Sequence, residues 1–340
     1  MRIWFNQGHT LYQTLRGMEE RVPGVTMLVS AKAAMSPAAM AGSETWSEPT
    51  GLAGADYADW ALEKALEKRV DIFFPQKEVV AIAEAAERFA AAGIRLELPG
   101  DPATIRLLDD KAAMAEDLQG DPVLAPTIRA SGAEAVAKAV DTIRALGVDA
   151  CVKPAHGIFA RGYWHLVEDD LLDCLDNIGS RRMPLATYLS AISQAERKGS
   201  PVDLIVMQHL PGPEASVDAH VRDGRLLRAV TRVKIKGGTQ KVVGGHELVR
   251  VAARLASRYR LNGVVNVQFK PTSNGEWKIL EINPRMAGGL SYGIPVGVDL
   301  AADWVRCAMG QSIDPVEDAF DHVVNFYTEA IIRGHTASKQ

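Results

Sequence analysis

The chain is poor in cysteine. Of its 340 residues only Cys151, Cys174 and Cys307 carry thiols, they are far apart, and no C-x-x-C pair occurs. That argues against a disulfide framework or a zinc site and favours buried thiols in a reducing compartment. Long apolar runs are missing too. No stretch of about 18 apolar residues occurs, and the opening MRIWFNQGHTLYQ has no apolar segment of signal-peptide length. A cytoplasmic protein without a membrane partner is therefore expected. Positive charge is not in excess: the net charge is -4 and the pI near 6.1, so nucleic acid is not expected as a partner and any anion site must be local. The sequence also lacks any G-x-G, which removes the dinucleotide fingerprint, and it shows no internal repeat or low-complexity tract.

What is present reads as α/β, turning to α+β towards the C-terminus. In the first hundred residues, strand-like RIWF, VTMLVS and VDIFFP alternate with helical DYADWALEKALEKR and EVVAIAEAAERFAAAG, the order of a parallel sheet. Leu62, Leu66 and Val70 recur at helical spacing in the first of these helices. Pro99, Gly100 and Pro102 mark a linker. From VDLIVMQHLPG onward the pattern becomes antiparallel, with one hairpin turning at Asp223-Gly224 and another at Asn274-Gly275. GVDLAADWVRCAMG reads as the final helix.

The segment WKILEINPRMAGG is oddly polar for a core strand. Alternation places Glu281, Asn283 and Arg285 on one face and Leu280 and Ile282 on the other. If the Asn274-Gly275 turn pairs the strands, Gln268 lies roughly across from Glu281, and three oxygen donors suit Mg²⁺ or Mn²⁺. Taken alone, the hairpin is better explained as a solvated sheet face. Three other segments are equally weak singly. VKPAHGIFARG sets Lys153 before a loop with Gly157 and Gly162; the two glycines have Walker spacing, but Tyr163 and Trp164 stand where that motif requires Lys and Ser/Thr. VMQHLPGPE offers strand-edge backbone groups and Glu214. TRVKIKGGT alternates Arg232, Lys234 and Lys236 with Val233 and Ile235, usually a solvent face.

Taken in order, DDK, VKP with its glycine loop, QHLPGPE, VTRVK, VNVQF and LEINPR resemble the ATP-grasp superfamily over roughly Asp109 to Gly310. The pair NVQF and EINPR is most similar to the ATP-grasp halves of carbamoyl-phosphate synthetase and related amino-acid (carboxylate-amine) ligases. The resemblance implies a Rossmann-like parallel α/β domain (1–105), a linker helix (106–124), a lid subdomain (125–207) and an antiparallel C-terminal subdomain with the metal site (208–340). It implies Gln268, Glu281 and Asn283 as metal ligands, and Arg285 as partner of the transferred phosphoryl group. Lys111, Lys153 and Gly157 would contact ATP phosphates, Gln208, His209 and Leu210 would form the adenine hinge, and Glu214 would hold the ribose. Arg232 would face the phosphate or the substrate. The loop HGIFARG departs from the family pattern: it has fewer glycines and carries Phe159 and Arg161, and Arg161 is as easily a phosphate contact as a solvated residue.

The implied reaction is ATP- and Mg²⁺-dependent activation of a small carboxylate as an acyl phosphate, then attack by an amine, with ADP and phosphate released. The alternatives are an ATP-grasp kinase and a non-catalytic ATP-binding regulator. Lys77 and Glu78, or Ser291 and Tyr292 in MAGGLSYG, are the substrate candidates, although Lys77 and Glu78 equally suit a surface turn. Homodimers are common in the family; the sequence leaves the assembly open.

Overall fold

The computed structural model describes residues 1–6, 11–32, 36–157, 161–313 and 319–326. Phe159 of the glycine loop and the end of the 208–340 segment lie outside these residues. The first sheet has five short parallel strands: β1 (Arg2–Phe5), β2 (Thr26–Ala31), β3 (Glu44–Ser47), β4 (Ile72–Phe74) and β5 (Arg95–Leu96). They lie in the order β3-β2-β1-β4-β5. Because side chains alternate, Trp4 and Phe73 meet on one face, their rings stacked 3.9 Å apart, while Ile3, Phe5 and Phe74 line the other. Both faces are buried, as a parallel sheet requires. Strand order reverses between β1 and β4, so the chain leaves these neighbours in opposite directions and opens a crevice at their carboxyl ends.

The helix Gly54–Glu67 buries a different stripe from the one its leucines suggest. Tyr57, Ala58, Ala61 and Ala65 face the sheet, whereas Leu66 is 54% exposed. Small alanines let the helix approach closely while Tyr57 fills the remaining gap, so packing overrides the leucine spacing.

The second sheet comprises β6 (Thr127–Ser131), β7 (Ala150–Pro154), β8 (Trp164–Val167), β9 (Arg182–Pro184) and β10 (Asp203–Gln208), ordered β6-β10-β7-β8-β9. The strand read from VDLIVMQ thus takes second place in this sheet, between β6 and β7 and antiparallel to both. A third, antiparallel sheet runs β15-β14-β11-β12-β13-β16 and is built from β11 (Ala215–Arg222), β12 (Arg225–Lys234), β13 (Thr239–Val243), β14 (Gly263–Pro271), β15 (Trp277–Asn283) and β16 (Asp321–Asn325). Its first hairpin turns at Asp223-Gly224, both with positive φ (50° and 75°), which matches the twist of the paired strands. Leu300–Ala308 is the final helix among the described residues, as its pattern suggests, and the edge strand β16 follows it; a five-residue strand with Val323 largely exposed leaves little hydrophobic pattern to read.

His220 on β11 is 1% exposed, and its Nδ1 has no hydrogen-bond partner among the described residues. Burial, with Arg228 and Arg222 nearby, lowers its pKa to about 4. A group depressed from about 6.5 to about 4 makes the unfolded chain bind more protons between those values. Stability attributable to His220 is therefore complete above about pH 6.5 and falls towards pH 4, by on the order of 3 kcal/mol. Denaturant titrations from pH 7 to 4 should show this fall, and His220→Gln should flatten it. An unchanged slope in the variant would show that other groups carry the acid sensitivity.

Candidate active site

Glu281 lies on β15, and the β14–β15 register sets Gln268 directly opposite it and Asn266 opposite Asn283. The Glu281 side chain is largely enclosed. Oε1 accepts from Asn283 Nδ2 at 2.9 Å, and Oε2 lies 3.3 Å from Lys111 Nζ. Burial alone would raise the pKa of Glu281, yet Lys111, the Asn283 amide and Lys153 together hold it below the ordinary carboxylate value. The carboxylate is thus an anion at neutral pH. Strand β15 ends at Asn283, and the chain turns so that the Arg285 N–H donates to the Asn283 carbonyl at 2.8 Å while its Nη2 donates to Asn283 Oδ1 at 3.2 Å.

Two adjoining cavities meet at this edge. The first holds about 790 Å³ of open space between the second and third sheets. Lys111, Lys153, Gly157, Gln208, Leu210 and Glu214 all line it, as do Gln268 and Glu281. Lys111 heads the helix Lys111–Asp117, capped by Asp110, and its Nζ donates to the Gly157 carbonyl at 2.7 Å. Lys153, near the end of β7, crosses to the third sheet and donates to the Leu280 carbonyl at 3.0 Å. Burial lowers its pKa, with Glu281 opposing. Arg161 also lines this cavity, so it adds a cation to the wall. Met207, Leu210 and Leu280 supply apolar surface.

The second cavity, of about 900 Å³, lies on the other side of the Glu281 edge and reaches the crevice of the first sheet. Asn283, Arg285, Lys77 and Glu78 line it, and Lys111, Gly157 and Glu281 form walls of both cavities.

Other candidates take different places. Arg232 is 4% exposed and lines neither cavity. Its Nε and Nη2 donate to Asp218 at 2.5 and 3.2 Å and its Nη1 to Gln240 Oε1 at 2.8 Å. A Cβ on Gly289 would sit 2.3 Å from Nη1, so glycine there makes room for the guanidinium. Asp218 also accepts from Asn266 Nδ2 at 2.8 Å, and Asn266 faces Asn283, so this buried network lies directly behind the Glu281 edge. The alternating pattern of TRVKIK misled because only Arg232 turns inward. His209 lines neither cavity: its ring stacks on His165 at 3.8 Å, Tyr163 O–H bonds its Nδ1 at 2.8 Å, and its N–H donates to the Asp149 carbonyl. Burial, then His165, pushes its pKa down to about 4, leaving the imidazole neutral. Ser291 and Tyr292 are buried, and the Tyr292 hydroxyl donates to the Gly238 carbonyl; no residue of MAGGLSYG lines either cavity, and its Gly288 is exposed.

Some contributors carried no sequence signal. Lys270 lines the first cavity beside Glu214, and Tyr163 and Cys151 complete its wall. Asn6, fully buried after β1, clamps the loop after β4. Its Oδ1 accepts from Gln76 N–H at 2.5 Å and Lys77 N–H at 3.3 Å, and its Nδ2 donates to the Lys77 carbonyl at 3.1 Å.

A family model described as ATP-grasp in the biosynthetic pathway with Ter operon matches residues 200–330. Solved structures resemble nearly the whole chain. The N5-carboxyaminoimidazole synthetase of Staphylococcus aureus, complexed with ADP, is 16% identical with a TM-score of 0.61, over 92% of this chain and 78% of that one. The biotin carboxylase domain dimer of Hydrogenobacter thermophilus 2-oxoglutarate carboxylase, complexed with MgADP, ADP and bicarbonate, is 16% identical with a TM-score of 0.65, over 94% and 72%. N5-carboxyaminoimidazole ribonucleotide synthetase from Thermus thermophilus is 16% identical with a TM-score of 0.62, over 94% and 82%. The chain has the ATP-grasp fold. None of the curated proteins compared matches the sequence.

The ATP-grasp fold raises the question of a divalent cation at the Glu281 edge. An ionised carboxylate with two side-chain amides is an all-oxygen donor set that fits a hard cation keeping water and phosphate ligands. Asn283 turns its nitrogen towards Glu281 here, so holding a cation between them requires its amide oxygen to face inward. Among the described residues no group of three or more His, Cys, Asp or Glu side chains gathers elsewhere to offer a competing site.

Proposed function

We propose that this protein is an ATP-dependent carboxylate-amine ligase that works through an acyl phosphate and releases ADP and phosphate. The observation that carries this reading is the shared wall: Lys111, Gly157 and Glu281 border both cavities, so a group passed from one to the other crosses an edge lined by fixed charges. In this reading the nucleotide fills the first cavity, with adenine against Gln208 to Leu210, the ribose near Glu214, and the phosphates towards Lys111, Lys153 and Gly157. Gln268, Glu281 and Asn283 would hold Mg²⁺, which supplies charge neutralisation to the phosphates when bound. Phosphoryl transfer needs positioning and charge stabilisation more than a protein nucleophile, and these residues are of that kind. Arg285 opens onto the second cavity, where a carboxylate meets the transferred group. The segment 125–207, carrying Lys153 and Gly157, is the lid in this proposal; an acyl phosphate must be kept from water. The ADP and MgADP complexes of the solved relatives support the nucleotide assignment.

Incubation with ATP, Mg²⁺ and pools of acids and amines tests this. ADP and phosphate are expected only when both an acid and an amine are supplied, with an amide as product. A stable phosphorylated acid or alcohol would make the protein a kinase instead. Binding of ATP without consumption under any pairing would overturn the enzymatic reading.

A further inference from the structure

The second cavity is built where the strand order of the first sheet reverses. Asn6 follows β1, Gln76 to Val80 follow β4, and these two strands are the neighbours at the reversal, where open parallel sheets hold their ligands. Its walls combine three chemistries. Arg285 supplies a cation beside the Glu281 edge. Val79, Val80, Ile105 and Leu108 supply an aliphatic surface, and Glu78 and Asp109 supply two carboxylates.

The charges of this cavity are unevenly matched. Lys77 is committed to Glu48 at 3.3 Å and to the face of Tyr57, and Lys111 to Glu281. Arg285, Glu78 and Asp109 form no ion pair among the described residues. Glu78 is held at φ +53°, a conformation costly for a non-glycine residue, and its Oε2 accepts from the Gly54 N–H at 2.9 Å. With Glu78 accepting only from Gly54 and Asp109 at the exposed rim, the cavity offers one cation and two carboxylates outside ion pairs among the described residues, beside an aliphatic wall, a set complementary to a zwitterion with a hydrocarbon side chain.

We infer that the acyl donor of the proposed ligase is an α-amino acid with an aliphatic side chain. Its carboxylate would lie at Arg285, its ammonium between Glu78 and Asp109, and its side chain on Val79, Val80, Ile105 and Leu108. This assignment rests on the ligase reading for its chemistry but on the cavity alone for its ligand. In the reaction a carboxylate oxygen attacks the γ-phosphorus, the bond from that phosphorus to the bridging oxygen breaks, and ADP leaves with the electron pair. The amine of the second substrate then attacks the acyl carbon, phosphate leaves with the C–O electron pair, and the proton shed by the amine passes to solvent. Held as an ammonium between carboxylates, the donor's own amine has no lone pair with which to attack.

Two measurements on the full chain separate the ligand from the chemistry. Calorimetry in the presence of a non-hydrolysable ATP analogue compares L-leucine and L-valine with their deaminated counterparts, 4-methylpentanoate and 3-methylbutanoate. The amino acids should bind about tenfold or more tightly, because the deaminated acids leave the carboxylates unmatched. Glu78→Gln, which keeps an acceptor for Gly54, and the independent Asp109→Asn should each reduce that preference several-fold without changing nucleotide affinity. Equal binding of the deaminated acids, or a preference unaltered in both variants, would overturn the assignment. Hydroxylamine, which captures acyl phosphates as hydroxamates, then reports chemistry without the unknown amine. Leucine that binds yet gives no hydroxamate would leave the pocket assignment standing and sink the ligase reading. Hydroxamate from the deaminated acids but not from the amino acids would do the reverse.

Discussion

Glu281→Gln is expected to lower ATP-dependent turnover by about a thousandfold or more while leaving the melting temperature within a few degrees of the parent. The substitution is isosteric, and Gln still accepts from Asn283, so the hairpin register is preserved. What disappears is the anion, the sole carboxylate among the three proposed metal ligands and the partner of Lys111. Lys111 retains its bond to the Gly157 carbonyl and is not stranded, which is why the fold should tolerate the change. Steady-state ADP release across a Mg²⁺ titration, beside a thermal melt, is the measurement. Turnover retained at more than about a tenth of the parent would remove Glu281 from the metal site. A large loss of melting temperature would instead make it a structural carboxylate.

Asp218→Ala should have the largest effect on stability. Asp218 is fully buried and accepts three hydrogen bonds, two from Arg232 and one from Asn266. Removing it leaves a guanidinium in the core with only Gln240 as a partner among the described residues, at a cost of about 3–5 kcal/mol. If the unpaired charge is the cause, the double variant Asp218→Leu with Arg232→Met should recover much of the loss, measured as the shift in denaturant midpoint. A double variant no better than the single would show that the packing of Asp218, not its charge, matters. The same pair decides the role of Arg232. A residue that binds phosphate would, when changed to Met, weaken nucleotide affinity at little cost in stability, whereas the buried geometry predicts the opposite balance.

Much of the candidate site was legible because its signals are local. Two dipeptide turns, Asp223-Gly224 and Asn274-Gly275, locate the hairpins, but the second closes a three-residue loop with Thr272 bonded to Glu276, and it is a bulge beyond the Phe269–Ile279 pair that brings Gln268 opposite Glu281. The alternation in LEIN likewise placed Glu281 and Asn283 together. The parallel first sheet and antiparallel third sheet followed from the order of strand and helix patterns. What failed to show was set by distance along the chain. Asn6 and Gln76 are 70 residues apart and meet only because β1 and β4 are neighbours. Lys270 is one of two lysines on its hairpin, the other being Lys278, until the second sheet closes over it. Arg232 and Lys234 look equivalent on one face of a strand, yet Arg232 reaches Asp218 in the core while Lys234 stays at the surface with Glu214.

By itself, then, the sequence determined where the hairpins turn and that Glu281 and Asn283 stand two residues apart on one strand, because these depend on backbone geometry over a few residues; the bulge that lets Leu280 line the same cavity as Glu281 is a tertiary feature. Only the tertiary structure decided which charges are spent and which are open. Lys77 is spent on Glu48 and Arg232 on Asp218, while Arg285, Glu78 and Asp109 border the second cavity without an ion pair among the described residues. Pairing of that kind is fixed by where the sheets pack against one another, and no local pattern encodes it.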